Sequence, residues 1–214
     1  MAFTQRLIES VMQTARFSTS GYQDDAEINR NLAMVENDLM ETIAPLSEEN
    51  QKVRDLLSPF ITPPSTLPVS SGIVTLPADY VQVVDSFYND RPVYKRNVNE
   101  ISIINTSPTR KPNIDKGPYY CYFAGGGMRV LPVEMEEVDM IYIRKPVPGE
   151  IEFNVVEDAD RDYVTISVLR ETEWPERAFN ILYYLMLEKY GVEMTSQIAM
   201  EYSQLGINKE IQKV

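Results

Sequence analysis

Apolar residues at Phe3, Leu7, Ile8, Val11, Met12 and Ala15 recur at helical spacing and predict a first helix, broken by Thr19-Ser20-Gly21. A second stripe, Ile28, Leu32, Val35, Leu39 and Ile43, follows Asp24 and Asp25. Either aspartate can accept from the free N–H groups of a first turn, and Pro45 lies near the stop. Ser47 is read as the start of a third, shorter helix with Glu48 and Glu49 in its first turn, burying Val53, Leu56 and Leu57 and ending before Pro59. The run Thr62-Pro63-Pro64-Ser65-Thr66-Leu67-Pro68 cannot hold a helix and is read as a linker.

Beyond the prolines the rhythm changes to short strands separated by turn residues. Gly72–Pro77, Tyr80–Tyr88 with a bulge near Val84, Arg91–Tyr94 after the turn pair Asn89-Asp90, Tyr119–Ala124, Met128–Pro132 and Val138–Arg144 all fit this pattern. Asn97–Ile104 fits one or two helical turns, and Asn105–Pro118 is a long loop with three prolines. An acidic segment runs from Pro148 to Asp162, and Tyr163–Val168 is one more strand. Trp174-Pro175-Glu176 opens a helix with proline in its permitted first turn. It continues through Ala178, Ile181, Leu182, Leu185, Met186 and Lys189 to Gly191, and a last helix follows from about Met194 to Leu205.

The expected class is therefore α+β: a helical bundle built from both chain ends, with a small antiparallel β sandwich or barrel inserted. The expected division is a helical segment 1–66, a β-rich module 67–171, and C-terminal helices 172–214 packing with 1–66.

Composition narrows the chemistry. The 214 residues are 43% hydrophobic, enough for a core, and no apolar run approaches the roughly 18 residues of a membrane span. The N-terminus lacks the continuous apolar stretch of a secretory signal, and the single cysteine, Cys121, cannot close an internal disulfide, so a cytoplasmic site of synthesis is expected. Histidine is absent, which removes Ser-His-Asp and Cys-His nucleophile pairs and histidine zinc sites. Carboxylates, lysine and tyrosine are what remains.

Net charge is −12. Residues 1–66 carry five basic and ten acidic side chains, 67–146 nine of each, and 147–214 six and thirteen. An acidic chain is poorly suited to clamping nucleic acid, which needs cations to replace counterions, although it can line a wall that nucleic acid slides past.

Local clusters weigh toward simple readings. Glu134, Glu136, Glu137 and Asp139 read as a solvated turn. Glu157, Asp158, Asp160 and Asp162 lack the glycine and closing glutamate of an EF-hand loop. Gly125-Gly126-Gly127 is followed by strand residues rather than the helix a phosphate loop requires, so it reads as a hairpin turn. Cys121, with no histidine to activate it, reads as a packing residue. No cofactor, metal or catalytic residue is expected. Arg110, Lys111 and Lys116 form the one compact basic feature. With Tyr119 and Tyr120, and the terminal residues Gly206, Ile207, Lys209 and Ile211, they are the candidate interface set.

One ordered arrangement goes further. Leu76-Pro77-Ala78-Asp79-Tyr80-Val81-Gln82-Val83 is followed by Asn89-Asp90-Arg91-Pro92-Val93, a proline-rich loop, an aromatic strand, Met128-Arg129-Val130-Leu131-Pro132, and Ile141-Tyr142-Ile143-Arg144-Lys145-Pro146. This resembles the L-P-x-D-Y, v-x-P and l-x-Y-x-x-x-P strands of phage head-to-tail connector proteins. These are adaptors similar to tail tubular protein A of short-tailed phages, with ring proteins of crAss-like phages among them. The Trp174-Pro175-Glu176 helix, Gly191 and the helix after it are similar too. The resemblance covers about residues 70–205; the N-terminal helices and the acidic stretch Glu150–Asp162 carry none of its motifs.

It implies a virion structural protein at the head–tail junction, assembled in the host cytoplasm as a dodecameric ring. Such a ring docks beneath the portal protein, extends the DNA channel without specific DNA binding, and offers a platform to the adjacent tail ring or nozzle protein, with no membrane involved. The alternatives are another virion component, such as a tail-completion or fibre-docking protein, and a carboxylate-based glycan hydrolase, which needs two facing acids in a cleft, one with a raised pKa.

Overall fold

The computed structural model describes residues 2–15, 24–156 and 163–205, and the chain divides into two compact units, 1–59 with 145–214, and 60–144. Among the described residues no helix is long and apolar enough to cross a membrane.

The first unit opens with α1 (Phe3–Ala15) and α2 (Asp25–Ile43), on the expected stripes: Leu7, Ile8, Val11 and Ala15 are buried on one, and Ile28, Leu32, Val35, Leu39 and Ile43 on the other. Asp24 caps α2 by accepting from the Ala26 N–H. The third helix differs from its predicted start. Ser47, Glu48 and the residues back to Ala44 form a 3-10 turn, and α3 (Gln51–Leu57) begins only after Asn50. Asn50 accepts from the N–H groups of Lys52 and Val53 and so satisfies two first-turn donors at once; Ser47, itself within the 3-10 turn, is not its cap.

The second unit is a closed barrel of seven strands: β1 (Ser65–Ser70), β2 (Ile73–Val74), β3 (Tyr80–Tyr88), β4 (Arg91–Lys95), β5 (Tyr119–Ala124), β6 (Gly127–Leu131) and β7 (Glu137–Arg144), in the spatial order β1-β2-β6-β5-β4-β3-β7 with β7 pairing back to β1. Between β4 and β5 lie a 3-10 turn and α4 (Ile101–Thr106). The supposed linker is in fact largely β1. Pro68 sits inside that strand because the ladder bonds avoid its missing N–H: its carbonyl accepts from Thr75, and the neighbouring Val69 N–H donates to Glu136. Three hairpins close through two-residue turns with positive φ at both positions: Ser71-Gly72, Asn89-Asp90 and Gly125-Gly126. The β3–β7 register shifts between Val83 and Asp85, at the bulge expected near Val84.

The barrel is mixed rather than antiparallel, because β4 and β5 run parallel. A parallel neighbour cannot be reached by a tight turn and needs a crossover, which residues 96–118 supply, α4 included. The barrel interior is filled by Leu67, Val83, Val93, Tyr119, Cys121, Met128, Val130, Val138, Met140 and Tyr142, among others.

The chain then returns to the first unit with β8 (Glu150–Val156) and β9 (Tyr163–Arg170), an antiparallel ribbon. The sequence reading placed this stretch in the β-rich module 67–171 and read its first half as an acidic segment; it lies with the helices, and Glu150–Val156 is a strand. After Pro175 a 3-10 turn leads into α5 (Phe179–Lys189), followed by α6 (Thr195–Gln204). Within this unit α5 packs against α1, α2 and α6. Mixed α+β architecture is thus observed.

Candidate functional site

The crossover between β4 and β5 is where the barrel departs from plain hairpin geometry, and it carries the candidate cations Arg110, Lys111 and Lys116. Together with β4 it spans residues 91–118, which hold six basic side chains, Arg91 and Lys95 in the strand and Arg96, Arg110, Lys111 and Lys116 after it, against two acids, Glu100 and Asp115, and all eight are exposed. Glu100 faces Arg96 at 3.9 Å. Among the described residues, Arg110, Lys111 and Lys116 form no ion pair. Exposed apolar side chains lie in the same segment: Tyr94, Val98 and Ile103, the last 62% exposed.

Local bonds shape this loop. The Lys111 N–H donates to the Ser107 carbonyl, and the Gly117 N–H to that of Asn113. Asn113 Oδ1 accepts from the Asp115 and Lys116 N–H groups at 2.9 and 3.0 Å, holding Lys116 in a side-chain-closed turn. Tyr119 ties the loop to the barrel. Its ring is buried and meets Tyr88 edge-on at 5.1 Å, while its hydroxyl donates to the Ile114 carbonyl at 3.0 Å.

Tyr119 and Tyr120, grouped with the cations in the sequence reading, are 2% and 4% exposed and present no surface to a partner. Period-two alternation explains both fates. Tyr119 points into the barrel; Tyr120 points out and is covered by Tyr94 at 6.3 Å and by the Arg96 guanidinium at 5.9 Å. Gly206, Ile207, Lys209 and Ile211 lie outside the described residues, as do Glu157, Asp158, Asp160 and Asp162.

Other polar groups are local. Cys121 is buried with its sulfur 4.0 Å from the Ser86 hydroxyl, and burial pushes its thiol pKa up, against thiolate formation. Burial likewise pushes the Tyr80 hydroxyl up to about 12; its oxygen accepts from the Val83 N–H. Glu134, Glu136 and Glu137 are exposed, and Asp139 accepts from the Thr66 hydroxyl at 2.6 Å. Among the described residues no group of three or more Cys, Asp or Glu side chains is placed to hold a metal ion.

The first unit holds a carboxyl that the sequence reading passed over. Glu36 of α2 has no exposed surface. Its Oε1 accepts from the Gly149 N–H at 3.4 Å, and its Oε2 has no hydrogen-bond partner. Desolvation pushes its pKa up to about 7; the Thr172 side chain and Gly149 amide oppose the rise, and the charge of Glu173 adds to it. A signal was present, since Glu36 sits between Leu32 and Met40 on the apolar stripe. A raised carboxyl beside a second acid is half of a glycosidase arrangement, but Glu36 is enclosed, with no face open to a sugar.

No family model matches this chain, and no curated protein matches it in sequence.

Proposed function

We propose that this chain is a virion structural protein, a ring-forming head-to-tail adaptor that docks beneath the portal, extends the DNA channel and supports the next tail component. The reading rests on where the resembling segments fall. Tyr80–Val83, Arg91-Pro92-Val93, Met128–Leu131 and Ile141–Arg144 lie in β3, β4, β6 and β7 of one closed barrel, with Leu76–Asp79 and Pro132 in the connections beside them. The chain on either side of that barrel belongs to a single unit in which α5 packs against α1 and α2. This supports the finer architecture of a bundle drawn from both chain ends around a β insertion.

Charge is consistent with the role. The first unit contains twelve basic and twenty-three acidic residues, the barrel unit eight and nine. An acidic surface toward the channel lets DNA pass unheld, since it offers no cations to displace counterions. A ring built by rotation needs two different, complementary patches on each subunit, and unequal units are a simple source of them.

Native mass determination of the purified chain, alone and mixed with assembled portal, tests the proposal. Ring-sized oligomers, or their formation on the portal, are expected. A stable monomer in both samples would overturn it, as would hydrolysis of bacterial cell-wall glycan by the chain.

A further inference from the structure

We infer that the segment Arg91–Lys116, β4 with the crossover after it, is the subunit–subunit contact, and that its occupant is the acidic helical unit of a second copy of this chain. The inference rests on the adaptor reading above and names the surface that would close the ring.

Three observations converge on that occupant. The segment carries six exposed cations against two acids, while the chain's other unit carries nearly twice as many acids as bases. A second copy therefore supplies the complementary field without any further molecule. Tyr94, Val98 and Ile103 are exposed within the same segment, 48%, 48% and 62%. Apolar side chains among cations are what a partly dry protein interface uses; a phosphate backbone gains little from them. Finally, the loop is held in shape before any partner arrives, by Asn113 on the Asp115 and Lys116 amides and by Tyr119 on Ile114. Ordering costs are then small on binding.

Because the two surfaces differ, the contact is head-to-tail: each copy presents this segment to one neighbour and its acidic unit to the other. Such contacts close as a ring or run on as a filament, according to the rotation between subunits. A salt-sensitive assembly follows, since the six cations are exposed and screening acts on them fully.

The test uses the full chain in ordinary and nitrogen-15-labelled forms, mixed at high salt and assembled by dilution, with portal added if the chain alone stays small. Carbodiimide coupling then joins lysines to adjacent carboxylates. Expected are cross-links from Lys111 or Lys116 to carboxylates within 1–59 or 145–214 that join a labelled chain to an unlabelled one. The triple variant R110E/K111E/K116E is expected to lose the assembled species while melting at the parental temperature, as its changes lie in an exposed loop.

Cross-links confined to single chains, or reaching carboxylates within 60–144, would overturn the inference, as would a triple variant that assembles normally. Each of those results leaves the adaptor reading standing, with the ring closed elsewhere. Duplex DNA binding lost in the triple variant with assembly intact would reassign the segment to nucleic acid. A parent chain that is monomeric with and without portal defeats both.

Discussion

The two units of this chain are held by different means. The barrel is closed by backbone ladders all the way round, so no strand in it has a free edge, and three of its six connections are two-residue turns. The helical unit is assembled from segments far apart in the chain and joined by side chains reaching for backbone. Glu171 accepts from both the N–H and the hydroxyl of Thr4, whose hydroxyl in turn accepts from the Thr172 N–H at 2.8 Å. Asn29 donates to the Ile151 carbonyl and accepts from the Ile151 N–H, sealing part of the outer edge of β8. Asn50 donates to the Leu205 carbonyl. Single side chains therefore carry more of the architecture in the helical unit, whereas the barrel distributes its bonding along the backbone.

The sharpest way to test that contrast is through the cores. Leu39→Ala in α2 and Met128→Ala in β6 remove fully buried side chains and should each cost about 2–5 kcal/mol in denaturant unfolding. If the units unfold separately, tryptophan fluorescence from Trp174, in the helical unit, will follow the Leu39 variant and ignore the Met128 one.

Next in size is Glu36. Its folded pKa lies near 7 against an ordinary 4.5, so the folded chain holds a proton that the unfolded chain releases. Stability from this group is fully present below pH 4.5, falls as pH rises toward 7, and is flat above; the loss is up to about 3 kcal/mol. Urea midpoints of the parent between pH 5 and 8 should show that decline, and Glu36→Gln, which cannot ionise, should remove it. Equal pH slopes for the two proteins would refute the assignment.

Asn50→Ala should cost about 1 kcal/mol or somewhat more, because it removes the cap of α3 and the bond to Leu205 together. Ser47→Ala, at the position read from sequence as the cap, should cost less, and thermal melts of the pair would rank them. The smallest effect belongs to the barrel. Asp90 holds φ at 59°, a region glycine adopts freely, and Asp90→Gly should raise barrel stability by a few tenths of a kcal/mol, readable as a small shift in urea midpoint.

Much of the secondary structure was legible because it depends on local periodicity. Phe3–Ala15, Tyr80–Tyr88 and Tyr119–Ala124 form the elements their patterns announce, with the same ends. The departures share one cause. Thr62–Pro68 reads as a linker only while the two strands that flank β1 are unknown, and Glu150–Val156 reads as part of an acidic segment until β9 is laid beside it. In the candidate site, the cations could be found from sequence as a charge cluster. The burial of Tyr119 and Tyr120 could not, since an aromatic strand reads alike whether its faces meet solvent or a crossover.

What the amino-acid order alone determined was therefore whatever neighbours along the chain can settle: helical stripes, turn pairs such as Asn89-Asp90, the absence of histidine, and the uneven charge. Tertiary structure alone decided the parallel pairing of β4 with β5, the placing of β8 and β9 with the helices, and the enclosure of Glu36. Those depend on free energies of burial and pairing between residues distant in sequence, and no local window contains both partners.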